Sequence, residues 1–200
     1  MESENKPQPP IKLGRQLITC VMLCTIALVV IYFFHRQSLS DAMLVGLPIT
    51  QQIVIALAVG LVYALAGYFG FKWQSKNKTI KKTVDSYSRL DLNGLNPIWI
   101  SICAGVGEEF LFRAAVQPLI GIWLTSIVFV LAHARAYQFK TINIATFIQA
   151  SSIFAISVFL GLIFQYVGLI AAILIHTMID VVGLYSIRHL VRLRANGLQV

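Results

Sequence analysis

The chain reads as an all-α, polytopic membrane helix bundle of about six transmembrane helices, with both termini cytoplasmic. Three observations predict this. Hydrophobic residues make up 58% of the 200 and charged residues only 12%, about half the charge of an ordinary soluble domain. Apolar runs long enough to cross a bilayer, about 20 residues each, recur along the chain. The basic residues fall almost entirely on one side once those runs are counted as crossings. Disorder is excluded by the apolar content. A disulfide scaffold is excluded because Cys20, Cys24 and Cys103 all lie inside apolar runs, where they read as reduced packing residues.

The first span is Leu17 to Phe34. The segment before it, residues 1–16, mixes acidic and basic residues with three prolines, and no small-x-small cleavage site follows. An uncleaved helix behind a cytoplasmic tail is therefore expected rather than a signal peptide. The second span runs from Ile49 to Trp73. Residues 74–97 form the one long polar segment, basic at first and closed by Asn93-Gly94 and Asn96-Pro97. The third span is Ile98 to about Ile120, the fourth Gly121 to about Tyr137, the fifth about Ile142 to Phe164, and the sixth about Tyr166 to Ile187. The chain thus divides into the tail 1–16, two spans and a basic loop in 17–96, a membrane core in 97–187, and a basic tail in 188–200.

Charge tests the count. With six crossings, fourteen of the sixteen Lys and Arg residues share the side of the termini, Arg36 stands alone on the other, and Arg113 lies within a span. The positive-inside rule then places both termini in the cytoplasm. The net charge of +8 suits loops facing anionic lipid. No basic stripe is interleaved with aromatics, so no nucleic-acid partner is expected.

Six ionisable side chains stand at membrane depth: Glu108, Glu109, Arg113, His133, His176 and Asp180. Each costs about 2.5–3.5 kcal/mol to insert and marks function by default. Glu109 and Arg113 are i,i+4 and form a natural ion pair. Glu108 is rotated about 100° from Glu109 on the same helix, which leaves it facing another neighbour and available for chemistry. His176 and Asp180 are also i,i+4, on the sixth span, and His133 lies on the fourth. Counted from the span ends, Glu108, His133, His176 and Asp180 share the cytoplasmic half and form a site open to cytoplasmic water. His35 and His189 fall in loops or tails, where a solvated role is expected. Two imidazoles and a carboxylate can ligate zinc and leave another carboxylate as general base. The same four can instead activate a water without metal. Both suit hydrolysis of an amide, and proton or cation transport is the competing chemistry.

GEEFLFR (Gly107 to Arg113), FVLAH (Phe129 to His133) and HTMID (His176 to Asp180) resemble the EExxxR, FxxxH and HxxxN/D motifs of the CPBP family. This is the CaaX-protease-and-bacteriocin-processing or Abi family, which includes the Rce1-type proteases. The three motifs occur in the family's order, each on its own expected span, and the likeness covers residues 97–187. It implies an intramembrane endopeptidase in the cell membrane, acting on a membrane-associated peptide or protein. In that reading Glu108 activates the attacking water with help from His133. His176 and Asp180 act as oxyanion stabilisers or metal ligands, and Glu109 with Arg113 supports the site. His133, His176 and Asp180 are the candidate zinc ligands. An ionised Asp180 accepts hydrogen bonds and cannot donate one as Asn does, which shifts weight toward a metal. Ala104, Gly105 and Gly107 would permit close helix approach. The alternatives are a non-catalytic immunity or regulatory protein that binds a peptide, and an ion or proton transporter. No unwound half-helix pair of the transporter kind is seen.

Overall fold

The computed structural model describes residues 11–35, 38–74, 87, 89–134 and 143–195. Those residues are mainly helical, with two isolated bridges, Ile11 to Leu90 and Gly46 to Gly168, and no strand among them. The helices are α1 (Leu13–Phe34), α2 (Leu39–Met43), α3 (Ile49–Gln74), α4 (Asn96–Glu109), a π-helical turn (Phe110–Val116), α5 (Gln117–His133), α6 (Ile144–Tyr166) and α7 (Leu169–Ala195). Ser38 closes a capping box with Asp41 at the start of α2, a short helix that the hydropathy pattern does not reveal because it is too short to show a period.

Five continuous helical runs are long and apolar enough to cross a membrane. The apparent loss of one crossing is resolved at Gly121. The run Asn96–His133 has 38 residues, which would extend about 57 Å if straight, nearly twice a hydrocarbon core of about 30 Å. It does not run straight, because Gly121 adopts φ 78° and ψ 166°, a region open essentially only to glycine. The chain reverses there, so that Phe112 and Phe129 meet with ring centroids 4.9 Å apart. The run therefore folds into two arms, joined where the sequence places the boundary between its third and fourth spans. Nothing lies within 4 Å of a Cβ added at Gly121, so an Ala there would meet only backbone strain. Gly121→Ala is expected to destabilise the protein by about 1–3 kcal/mol, read as a lowered midpoint for unfolding in detergent. An unchanged midpoint would mean the reversal does not depend on this conformation.

Polarity is turned inside out, as lipid requires. Ile18, Phe33 and Tyr32 are 71%, 70% and 80% exposed, whereas Glu109, Arg113, Ser101, Thr125, Ser126 and Ser157 are each fully buried. With no water to satisfy polar groups in hydrocarbon, they must find one another inside the bundle.

Two contacts set the depth of the helices that carry the site. Buried Gln52 of α3 donates from Nε2 to the Leu47 carbonyl at 2.7 Å, and its Oε1 accepts from the amides of Ile170 and Ala171 at 3.0 and 3.2 Å. Those amides open α7 and have no partner within their own helix, so Gln52 fixes where α7 begins. On α4, a Cβ at Gly105 would collide with Thr177 Oγ1, and one at Gly107 would come within 3.2 Å of Cys20 Cα. The small residues are therefore where α4 presses on α7 and α1, and the first of these contacts lies one residue from His176.

At the opposite end, Ile11 pairs with the Arg89–Asp91 strap, its amide donating to the Arg89 carbonyl at 2.7 Å. Leu92, Ile100, Leu184, Ile187 and Leu190 form a cluster there, with Leu13 packed against it. The start of α1 and the end of α7 thus lie at one end of the bundle, the arrangement that the expected six spans require. Helix α7 continues to Ala195, so the first part of the expected tail 188–200 extends the last span by about two turns. The expected span ends at Tyr137 and Ile142 lie outside the described residues.

Candidate active site

The site is built at the hairpin α4–α5 and closed by α7. Glu108 lies 13 residues before Gly121 and His133 lies 12 after it, so a reversal at Gly121 brings them level. His133 Nε2 stands 3.4 Å from Glu108 Oε2. His176 of α7 presents its Nε2 to the same Glu108 oxygen at 4.0 Å and to Asp180 Oδ2 at 3.7 Å. The four residues that the motifs single out are therefore gathered from three helices into one cluster. Counting 12 residues from Asn96, Glu108 is about 18 Å along α4, near mid-depth of a bilayer.

Below them lies a second layer that is fully buried. Arg113 Nε donates to Glu109 Oε2 at 3.0 Å, and both side chains are 0% exposed. The pair expected from i,i+4 spacing forms, although Arg113 itself belongs to the π-helical turn. Such turns, with i→i+5 hydrogen bonds, recur at functional sites. The guanidinium is held further by Ser157 Oγ of α6 at 3.0 Å and by Gln117 Oε1 at 3.4 Å, and it lies 5.6 Å from the Phe129 ring centroid. Gln117 in turn donates to the Gly161 carbonyl at 3.0 Å. Spacing does not reveal Ser157, because a lone serine in an apolar run carries no periodic signal. Gln117 had a signal, since it lies four residues after Arg113.

Glu109 has two partners, and the second is not legible from spacing. Its Oε1 lies 2.7 Å from His176 Nδ1. An ionised carboxylate can only accept, so the ring must donate from Nδ1. His133 is fixed in the same sense, with Nδ1 2.9 Å from the Phe129 carbonyl, which also only accepts. Both imidazoles, when neutral, therefore turn the lone pair of Nε2 toward Glu108. Glu108 Oε2 is itself buried and makes no hydrogen bond among the described residues. Glu108 Oε2 and the two Nε2 atoms thus face one small volume, and a water placed there would carry protons that they can accept.

His35 departs from the solvated role expected for it. Its Nε2 lies 2.8 Å from the Ala115 carbonyl, where it ties the end of α1 to the π-helical turn. Tyr63 of α3, another residue that no motif indicates, packs against the apolar cluster that includes Ile175 and Ile179 and lies within electrostatic reach of Asp180. No three His, Cys, Asp or Glu side chains among the described residues stand at metal-holding spacing. As placed, His133, His176 and Asp180 do not form a cage for zinc.

Residues 93–182 match the family model described as type II CAAX prenyl endopeptidase Rce1-like. The segment is similar to the Rce1-like endopeptidases. The matched segment takes in α4, the π-helical turn, α5, α6 and the first half of α7, and so contains all three motifs and every residue of both polar layers. Helices α1 to α3 lie outside it, including Gln52, which sets the start of α7, and Tyr63. No curated protein and no solved structure matched the chain.

Proposed function

We propose that the protein is an intramembrane endopeptidase that cleaves a membrane-associated peptide or protein with a water activated by Glu108. The observation that carries this reading is the convergence of Glu108 Oε2 with His133 Nε2 and His176 Nε2, at 3.4 and 4.0 Å, inside the segment similar to the Rce1-like endopeptidases.

The chemistry follows from the proton positions. A water between these atoms donates one O–H to Glu108 and the other to His133 Nε2, which leaves an oxygen lone pair for attack. As the oxygen bonds to the scissile carbonyl carbon, Glu108 takes the proton. The carbonyl electrons move to oxygen, and the oxyanion needs a donor. His176 supplies one from Nε2 when its ring is protonated, and the Glu109 carboxylate on Nδ1 stabilises that imidazolium. Collapse of the intermediate breaks the C–N bond, and Glu108 returns its proton to the leaving amine. General base action of this kind contributes about 10²–10⁴-fold. Glu109 and Arg113 act through His176 and are positioning residues. The fourteen basic residues that six crossings would assign to the side of the termini support a cytoplasmic placement of both termini, and the site opens toward that side in this reading.

Asp180 provides the experiment that tests the water mechanism against a metal one. Asn at this position can donate to the developing oxyanion, and one such donor is worth about 10²–10³ in rate. Asp180→Asn is therefore expected to keep or raise turnover of a cleaved peptide in detergent, with no zinc found by elemental analysis of either protein. A loss of about 10–100-fold together with loss of bound zinc, the pattern of a perturbed metal site, would replace the glutamate-activated water with a metalloprotease. His176→Ala abolishes turnover under both schemes and serves as the control.

A further inference from the structure

We propose that a basic cavity at the terminal end of the bundle seats the phosphate headgroup of an anionic phospholipid. The cavity has a volume of about 380 Å³ and lies between the start of α1, the strap around residues 90–93 and the last turns of α7. Three cations line it, Lys12, Arg188 and Arg192, against one carboxylate, Asp91.

That carboxylate is turned into the strap. Asp91 Oδ1 accepts from the Asn93 amide at 3.2 Å and from Asn93 Nδ2 at 2.8 Å, so its charge is already partly met. Arg188 is held in place by the Gly94 carbonyl at 2.9 Å from Nη1, with its guanidinium 4.3 Å from the Tyr185 ring centroid. Both contacts engage the group without neutralising it. Lys12 and Arg192 are exposed, and neither enters an ion pair among the described residues. The cavity therefore holds excess positive charge with donors to spare, which a tetrahedral oxyanion satisfies from several sides.

Position selects a lipid rather than a free phosphate. Lys12 immediately precedes the membrane-crossing run Leu13–Phe34, and Arg188 and Arg192 lie in the last six residues of the run Leu169–Leu193. These are the levels at which phospholipid phosphates sit. Directly beyond Lys12, α1 exposes Leu17, Ile18 and Val21, an apolar surface for acyl chains. Leu90, Leu92 and Val191 give the cavity an apolar wall for the glycerol end.

The test measures binding of a fluorescent phosphatidylglycerol to the full-length protein in neutral detergent, with the matching phosphatidylcholine as the uncharged comparison. The wild type is expected to prefer phosphatidylglycerol. Each cation near an anionic headgroup is worth about fivefold, so the double variant Lys12→Gln/Arg192→Gln should lose roughly 25-fold. Both residues are exposed, and an unchanged unfolding midpoint verifies that the variant is folded. Arg15→Gln removes a nearby charge that does not line the cavity, and it should leave the affinity as it was. An equal loss from Arg15→Gln, or no preference for phosphatidylglycerol, would overturn the site in favour of general surface charge. Displacement of the probe by millimolar inorganic phosphate would make free phosphate the ligand and overturn the lipid assignment.

Discussion

Replacing Glu108 by Gln is expected to lower peptide turnover by about 10²–10⁴-fold while leaving the protein at least as stable as the parent. The two halves of this expectation have one cause. Glu108 Oε2 is buried, makes no hydrogen bond among the described residues, and faces two imidazole nitrogens at 3.4 and 4.0 Å. A carboxylate held in that way contributes little to folding, because burying its charge is costly without matched donors. Gln keeps the volume, adds N–H donors for the two Nε2 lone pairs and removes the base. The measurement is single-turnover cleavage in detergent beside an unfolding curve. The variant also separates functions. A protein that only binds or shields a peptide should keep that activity with Gln at 108, and one that carries ions should be exposed by flux into liposomes. Full cleavage by Glu108→Gln would remove Glu108 from the chemistry.

Arg113→Ala should have the largest effect on folding. Removing one partner of a buried ion pair costs about 3–5 kcal/mol, because the other charge is left uncompensated. Here the loss reaches further than a pair. Arg113 bonds Glu109, Ser157 and Gln117, and so joins the π-helical turn to α4, α5 and α6. Its removal strands Glu109, which also orients His176 at 2.7 Å. Folded yield and turnover are therefore expected to fall together. Arg113→Lys keeps the charge but not the planar fork, and it should lie between the two. If Arg113→Ala folds normally and only turnover falls, Arg113 belongs to the chemistry rather than to the frame.

Much of this was legible in the residues. The membrane bundle, the span boundary at Gly121 and the Glu109–Arg113 pair follow from run length and from i,i+4 geometry, whereas the positive φ that turns the chain at Gly121 is seen only in the structure. The six ionisable residues stood out because an apolar run makes each of them costly. These are local or additive properties, and the order of residues along one helix is enough to express them.

The partners across helices were not legible. Spacing pairs Glu109 with Arg113 alone, yet its other oxygen holds His176 from a helix 67 residues away. Ser157 and Gln52 look like ordinary polar residues in apolar spans, and only packing shows that one braces the guanidinium and the other caps α7. His35 looked solvated until the end of α1 was seen against Ala115. Which side chains meet between helices depends on crossing, depth and rotation. Those are set by the close approaches at Gly105 and Gly107 and by the start of α7. The sequence alone thus determined a membrane bundle with a polar site in its core. The tertiary structure decided that three acceptors converge on one point, because convergence is a relation between helices and no single helix encodes it.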